Sequence, residues 1–301
     1  MREIKISKSD SGIRLDKLLF KLMPDAPSGV VYKSLRKKRV KVNGKRVTDG
    51  KALLNQGDVL ELYINDEFFG ESKPKSKSWE NNGPANPQII YIDENIAVLN
   101  KRSGLPSQDI EGQEGNSLES EFRRYLYKMG ELKDGAYIPS LCHRIDRNTS
   151  GLVIAAKNIA AHRIITEKIK NKEIRKFYMC RVEGRLQPKT GVFEGYITKT
   201  AENRFRFTKE KTKDGKKSCL SYRVIGHEGN TTAVEVELLS GRTHQIRATM
   251  SSLGHPILGD VKYGAAPAGG EYQELTAYKL IFAFTTPAGE LDYLKNKVIE
   301  I

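Results

Sequence analysis

Residues 143 to 156 read His-Arg-Ile-Asp-Arg-Asn-Thr-Ser-Gly-Leu-Val-Ile-Ala-Ala, a carboxylate between two arginines followed by an apolar run. The change from polar, turn-forming residues to apolar ones predicts a loop that leads into a buried strand. Asp146 is therefore expected on the loop, shortly before the strand. Taken alone, an Asp flanked by arginines suits a structural ion pair or a turn cap as well as it suits catalysis.

Two later segments carry similar residues. Gly241-Arg242-Thr243-His244-Gln245-Ile246-Arg247 forms a second basic cluster, and Arg175-Lys176-Phe177-Tyr178 places a phenol at the predicted start of another strand. One acid, one tyrosine and several arginines indicate chemistry on a polyanion without a cofactor.

Together, these segments resemble the RluA family of RNA pseudouridine synthases, whose loop has the form His-Arg-Leu-Asp-Arg-x-Thr-Ser-Gly. Later blocks of that family resemble Arg-Thr-His-Gln-Ile-Arg and Gly-His-Pro-Ile-x-Gly-Asp, and the latter is present here as residues 254–260. Ile145 and Asn148 differ from the commonest family letters, but neither removes a charge. Agreement between several distant blocks is more specific than one short pattern.

The resemblance implies an isomerase that converts uridine in RNA to pseudouridine without metal or coenzyme. It implies that Asp146 is the catalytic carboxylate, that Arg247 keeps it charged, and that Tyr178 stacks beside the target base and takes part in proton transfer. Arg144 would fill the gap left by a flipped nucleotide, and Ile246 would form an apolar floor. Whether the carboxylate attacks carbon or removes a ribose proton is left open. Two further residues are predicted to bind the substrate, Arg147 and Thr149.

Residues 1–66 are predicted to form a small, basic α/β domain that binds RNA. Apolar residues at helical spacing between Leu15 and Leu22 indicate one helix, a second is predicted over 30–38, and Asn43-Gly44 suits a hairpin turn. This order resembles the RNA-binding module of ribosomal small-subunit protein four. The one-sided charge favours phosphate contact over a merely solvated face. The residues predicted to bind RNA are Lys33, Arg36, Lys37, Lys38, Arg39, Lys41, Lys45 and Arg46.

Residues 67–87 have the composition of a flexible linker. Trp79 is expected to pin that linker to a neighbouring domain, with base stacking as the alternative. Residues 88–301 are predicted as an α+β catalytic domain with a mixed, mostly antiparallel sheet and flanking helices. The predicted helices are 118–128, 158–172 and 243–253, and the predicted strands are 89–92, 96–99, 152–156, 177–182, 221–225 and 232–238. The charged stretch 209–217 is predicted as a solvated hairpin end.

The composition favours a polyanionic partner, because the chain has 51 basic residues and only 37 acidic ones.

No apolar segment has the length of a membrane span, so we expect a cytoplasmic protein with no membrane partner. Three separated cysteines argue against a disulfide framework and a zinc site. The histidines lack metal-binding spacing, so no metal or other cofactor is expected. We also expect a monomer.

Two other functions stay open. A catalytically silent RNA-binding or ribosome-assembly factor would use the same basic surface. A hydrolase that releases a free base from nucleic acid would also place a carboxylate beside C1′ of a flipped nucleotide. For the substrate, large-subunit (23S) ribosomal RNA is the first choice and transfer RNA the second.

Overall fold

The computed structural model describes residues 1–7, 10–23, 26–65, 68–69, 83–132, 137–202, 204–267 and 269–301. Trp79 and most of the predicted linker lie outside them. The described chain forms a four-stranded sheet before residue 63 and an eleven-stranded sheet after residue 87. The exact domain boundaries stay predictions. Within these ranges, no helix has both the length and the apolar character of a membrane span.

The small sheet is antiparallel and has the order β1-β4-β2-β3, where β1 is Arg2–Lys5, β2 is Val40–Val42, β3 is Lys45–Arg46 and β4 is Val59–Leu62. Helices α1 (Leu15–Leu22) and α2 (Ser28–Arg36) bury their apolar residues in the same core as this sheet. The predicted hairpin is confirmed. Asn43 and Gly44 have φ values of 49° and 73°, as a two-residue turn with two left-handed positions requires.

The large sheet confirms the predicted mixed, mostly antiparallel architecture. Its order is β11-β10-β12-β13-β9-β14-β8-β6-β5, with β15 paired to β14 and β7 paired to β8. Only the β14–β8 pairing is parallel among these pairs. The strands are β5 (Gln88–Ile92), β6 (Ile96–Lys101), β7 (Ser140–Leu141), β8 (Ser150–Ala156), β9 (Ile174–Glu183), β10 (Thr190–Lys199), β11 (Phe205–Thr208), β12 (Lys216–Glu228), β13 (Thr231–Leu238), β14 (Leu275–Phe282) and β15 (Val298–Glu300).

In the described part of the chain, three α-helices accompany this sheet. Helix α3 spans Leu118–Lys128 as predicted, and α4 spans Ile159–Lys170 after Asn158, whose side chain accepts the backbone N–H of Ala161. Helix α5 spans Gln245–Ser252 and begins two residues later than predicted, because His244 has a left-handed φ of 53°. The geometry of His244 therefore decides where α5 starts.

The central strands β6 and β8 are buried on both faces. Val98 and Ile154 belong to the core beneath α4, whereas Leu99 and Val153 belong to the core on the cavity side. Burial on two faces explains why both strands read as continuous apolar runs instead of alternating. At the start of β8, Gly151 has a φ of 112°, and a Cβ there would overlap the backbone of Ala277 on β14.

Residues 209–217 do not form a hairpin end, so that prediction is wrong. Strands β11 and β12 lie on opposite sides of β10, and the segment between them therefore crosses that strand. Strand β10 itself was not predicted. Its Gly191 and Gly195 weaken the strand pattern, but they are needed where the rings of Tyr222 and Phe207 approach the backbone.

Candidate active site

One cavity of about 580 Å³ brings together the chemical residues of three segments, a volume typical of small-molecule sites (roughly 300–1,000 Å³). Its walls are the loop before β8, the first half of β9, and the loop between β13 and α5 with the start of α5. Asp146, Tyr178 and Arg247 all line it, as do Arg144, Thr149 and Ile246. Residues about 30 and 100 positions from Asp146 in the sequence therefore share one site with it.

Lys101, the last residue of β6, and Ser107, in the loop after it, hold the Asp146 loop from behind. The ammonium of Lys101, which is fully buried, donates to the carbonyls of Arg147 (2.7 Å) and Leu105 (2.8 Å). Ser107 Oγ donates to the carbonyl of Ile145 at 2.7 Å. Burial lowers the pKa of Lys101 to about 7, and the charge of Asp146 partly opposes that shift. The loop is thus held through its backbone, which leaves the Asp146 side chain free to face the cavity.

Arg247 is held by a buried carboxylate. Its Nε and one terminal nitrogen each donate to Asp260 at 2.7 Å, and both side chains are at most 7% exposed. Burial alone would lower the pKa of Arg247, but the hydrogen bond and charge of Asp260 and the charge of Asp146 outweigh it and raise that pKa. The guanidinium therefore stays charged, and the bidentate contact fixes its plane.

The other terminal nitrogen of Arg247 lies 3.8 Å from Oδ2 of Asp146. The Asp146 side chain is 22% exposed, so it is reached from the cavity and is not sealed in the core. A separation of 3.8 Å gives electrostatic attraction without a short hydrogen bond. The Asp146 oxygens are therefore not engaged in a short hydrogen bond with Arg247.

Tyr178 lies in the middle of β9, because the strand begins at Ile174, earlier than predicted. It pairs with Val236 on β13 and Ala277 on β14, and only 6% of the residue is exposed. Burial, followed by the charge of Asp146, raises the pKa of Tyr178 well above its ordinary value. The phenol therefore keeps its proton and presents a rigid ring to the cavity.

His244 forms a second wall near Asp146. Its Nε2 lies 3.9 Å from Asp146 Oδ2, and its Nδ1 lies 2.8 Å from the hydroxyl of Tyr263. That hydroxyl also accepts the backbone N–H of Phe205 at 3.1 Å. Burial lowers the pKa of His244, an effect that the Asp146 charge partly opposes, and burial raises the pKa of Tyr263. If the Tyr263 hydroxyl donates to Nδ1, the proton of the neutral imidazole is on Nε2, on the Asp146 side.

The four predicted substrate-binding residues take different positions. Arg144 is exposed at the cavity wall, whereas Thr149 and Ile246 are 2% and 3% exposed and form its inner surface. Arg147 does not line the cavity. Its guanidinium points away and donates to the carbonyl of Gly104 at 2.9 Å, so any contact of Arg147 with substrate would be outside the pocket.

The basic residues predicted to bind RNA lie on α2, the segment after it, and the β2–β3 hairpin. Seven of the eight are exposed. The exception is Lys41, which is half-buried and donates to Glu61 (3.4 Å) and to the hydroxyl of Tyr63 (3.0 Å). Lys41 is therefore partly neutralised, and the other seven carry the predicted phosphate-binding charge. In the described part of the chain, no three His, Cys, Asp or Glu side chains cluster as metal ligands would.

Sequence reasoning missed the residues that support this site. Lys101 ends the apolar strand β6 and Ser107 follows that strand. Asp260 ends the block Gly-His-Pro-Ile-Leu-Gly-Asp, to which the resemblance assigned no role. The signal available for Asp260 was its place in that block. For Lys101, the signal was a charged residue at the end of an otherwise apolar strand.

Comparison with known proteins identifies the class. The family model described as RNA pseudouridylate synthase matches residues 95–252, and the S4 domain model matches residues 13–60. The chain belongs to the RNA pseudouridylate synthase family and is an isomerase that acts on RNA, with an N-terminal RNA-binding S4 domain. The predicted resemblance is confirmed for both parts.

Individual relatives agree with this assignment. The chain is 32% identical over 286 residues to an uncharacterized RNA pseudouridine synthase of Aquifex aeolicus, covering 91% of this chain and 86% of that protein. It is 30% identical over 263 residues to ribosomal large subunit pseudouridine synthase C of Vibrio cholerae, covering 87% and 80%. The solved structure of human RNA pseudouridylate synthase domain containing 1 has the same fold, with a TM-score of 0.55, 23% identity, and 73% and 91% of the two chains covered.

Proposed function

We propose that this enzyme converts specific uridines of large-subunit ribosomal RNA to pseudouridine, with Asp146 as its catalytic carboxylate. One observation carries the proposal. The Asp146 carboxylate faces a cavity that it shares with the Arg247 guanidinium, 3.8 Å away, and with the Tyr178 ring. The choice of RNA is supported by the relatives named ribosomal large subunit pseudouridine synthase C, and transfer RNA is the alternative.

The reaction exchanges one glycosidic bond for another. The bond from ribose C1′ to uracil N1 breaks, the uracil turns, and C5 bonds to the same C1′. C5 loses its proton and N1 gains one, so that atoms and charge balance and nothing is oxidised or reduced. This sequence requires a carboxylate near the ribose, a wall that holds the loosened base, and a path for the C5 proton.

The residues of the cavity fit these requirements. Asp146 can serve either as a nucleophile at C1′ or as the base that removes a ribose proton. The Tyr178 ring holds the uracil while the base turns. The raised pKa keeps the phenol protonated, so Tyr178 would have to lose that proton before it could accept the one from C5. Arg247 offsets the cost of keeping a carboxylate charged in a partly buried place.

Entry into the cavity requires base flipping. A uridine in structured RNA leaves its stack at a cost of a few kcal/mol, and a planar cation at the rim can occupy the gap. Arg144 is exposed at the rim, and no ion pair engages it among the residues described. We propose that its guanidinium stacks where the uridine has left.

The variants Asp146→Asn and Asp146→Ala test the proposal. We expect both to abolish tritium release from RNA labelled at uracil C5, by about 10³-fold or more, while RNA affinity stays within about twofold of wild type. The control is Asp292→Asn, an exposed carboxylate near the C-terminus, which should keep full activity. Tritium release by both Asp146 variants at the wild-type rate would refute the role of this carboxylate.

Product analysis separates the remaining functions. An isomerase forms pseudouridine and leaves the RNA mass unchanged. A hydrolase liberates free uracil, and a binding factor forms neither product. Carbodiimide primer extension on RNA from cells with and without the protein would then locate the site. We expect pseudouridine to disappear from large-subunit ribosomal RNA, and its loss from transfer RNA alone would contradict the proposed substrate.

A further inference from the structure

The cavity continues past Tyr178 along the start of β9. Residues two apart on a strand face the same side, so Lys176 faces the cavity next to Tyr178, and both residues line it. Lys176 is half-buried. Its neighbour Arg175 forms a bidentate ion pair with Glu237 (2.6 and 2.9 Å), but the Lys176 ammonium has no hydrogen bond or ion pair to any residue that the structure describes.

A second unsatisfied group lies in the same wall. The imidazole of His143 accepts the backbone N–H of Ile154 on Nε2 at 3.1 Å, so the proton of the neutral ring is on Nδ1. This Nδ1 is buried, and no acceptor for it exists among the described residues. Burial and then the positive charge of Lys176 lower the pKa of His143 to about 3, so the ring is a neutral N–H donor near neutral pH. Both side chains line the same cavity.

A half-buried ammonium without a counter-ion and a buried N–H without an acceptor both raise the free energy of the folded protein. An oxygen-rich anion bound beside both groups would reduce both costs. Uracil and ribose offer only neutral oxygens, so the phosphodiester is the one anionic group that an RNA substrate can supply. A backbone phosphate is therefore the group of an RNA substrate that suits Lys176 and His143.

We propose that Lys176 and His143 form an internal phosphate subsite, which holds one backbone phosphate of the nucleotide whose base lies against Tyr178. The inference rests on the proposed function for its premise that a nucleotide enters the cavity. It deepens that function, because the enzyme would then recognise a nucleotide together with its phosphate, and a neutral nucleoside would bind weakly. The backbone phosphate would also anchor the ribose while the base is detached and turning.

The variants Lys176→Met and Lys176→Arg test this subsite in the full-length protein. With RNA substrate, Lys176→Met should raise KM about tenfold or more with a smaller change in kcat. It should also reduce the slope of log KM against log salt by about 0.7 to 0.9, as expected for the loss of one phosphate contact. Lys176→Arg should restore most of both. The control Lys297→Met removes a lysine that lies over the Tyr91 ring and outside the cavity, and should change neither.

Thermal unfolding distinguishes a binding role from a structural one. No counter-ion for Lys176 lies among the described residues, so Lys176→Met should leave Tm unchanged or raise it even as KM worsens. A lowered Tm, or an unchanged salt slope of KM, would overturn the subsite.

Binding of uridine 5′-monophosphate and uridine 3′-monophosphate, followed through the His143 imidazole signals by NMR, separates this inference from the proposed function. One of the two monophosphates should shift these signals in wild type and in Asp146→Asn, but not in Lys176→Met, whereas uridine should shift them weakly. If that pattern holds while the protein isomerises no RNA, the subsite stands and the function fails. If RNA is isomerised but neither monophosphate shifts the signals, the function stands and the subsite is wrong.

Discussion

At the scale of single residues, Arg247 is the central cation of the site, because its guanidinium lies close to two carboxylates at once. Asp260 takes two of its nitrogens at 2.7 Å and fixes its orientation, and the third nitrogen reaches Asp146 at 3.8 Å. A buried ion pair is costly to form and more costly to break. We therefore propose that Asp260 acts through Arg247 as a positioning residue, so that Asp146 faces a charge that is already oriented.

Arg247→Lys keeps the charge but cannot make the bidentate contact. We expect kcat for tritium release to fall about 10²-fold, since a misplaced donor at the reacting centre costs about that much, while RNA affinity changes little. The matched control is Arg102→Lys, because Arg102 also pairs bidentately with a buried carboxylate, Glu121 (3.1 and 2.7 Å), but lies outside the cavity. An equal loss in both variants would point to general destabilisation instead of a role at the site.

The candidate catalytic residues could be predicted from the sequence, whereas their supporting partners could not. Asp146, Tyr178 and Arg247 were found because each lies in a block that resembles a known family. Lys101 and Asp260 act through contacts formed only when distant segments fold together, and no local pattern carries that information. The sequence shows that Lys176 lies two residues before Tyr178, but it does not show that no described residue of the folded protein pairs with the Lys176 ammonium.

At the scale of elements, the turn before α5 places the His244 ring between Asp146 and the Tyr263 hydroxyl. His244 has a left-handed backbone conformation and closes the helix start, and its ring lies edge-on to Phe205 and Tyr263 at 5.4 and 5.6 Å between centroids. We propose that the Tyr263 hydroxyl donates to Nδ1 of His244, which would place the imidazole proton on Nε2, the nitrogen that lies 3.9 Å from Asp146.

Tyr263→Phe removes the hydroxyl and keeps the ring that lies 4.8 Å from the Arg247 guanidinium. In wild type, we expect ¹⁵N NMR to show His244 with a protonated Nε2 and a bare Nδ1 at neutral pH. In the variant, the two tautomers should mix and kcat should fall about tenfold. Tyr222→Phe is the control, because it removes a hydroxyl that bonds to the carbonyl of Pro188 instead. A wild-type His244 protonated on Nδ1 would show that the proton is on the other nitrogen.

Elements were predictable where one local rule dominated. Helix α3 has a clear apolar spacing and a Ser117 cap that accepts from Ser120, and the Asn43-Gly44 turn follows from backbone sterics. Strand β10 was missed because its glycines serve close contacts with rings on other strands. The start of α5 was misplaced because a non-glycine residue with positive φ cannot be foreseen from local propensity.

At the scale of the whole molecule, the two domains are joined by direct contacts as well as by the chain. Asp10 accepts the backbone N–H of Tyr137 at 2.9 Å, Arg163 donates to the carbonyl of Gly12 at 3.3 Å, and Ile159 on α4 packs against the small core. The small domain carries the charge that is predicted to bind phosphate, and the large domain carries the cavity. Affinity and chemistry should therefore respond to different substitutions.

The double variant Lys45→Glu/Arg46→Glu, on the exposed β3 strand, tests this division. We expect KM for RNA to rise about tenfold or more and its salt dependence to weaken, because two phosphate contacts are lost, while kcat at saturation stays near wild type. The control reverses two exposed lysines outside both the cavity and the small domain, Lys189 and Lys295. A fall in kcat with unchanged KM would contradict the separation of binding from catalysis.

The parallel junction at Gly151 limits how this enzyme can diverge. Any side chain at that position would collide with Ala277 on the neighbouring strand, and the position lies only five residues after Asp146. A duplicated gene under selection for new targets therefore has little freedom at this position beside the proposed catalytic acid. Substitutions are better tolerated at the cavity rim, in the crossing segment at residues 209–215 and in the small basic domain. New RNA specificities would therefore arise in these outer regions, while the reaction itself stays the same.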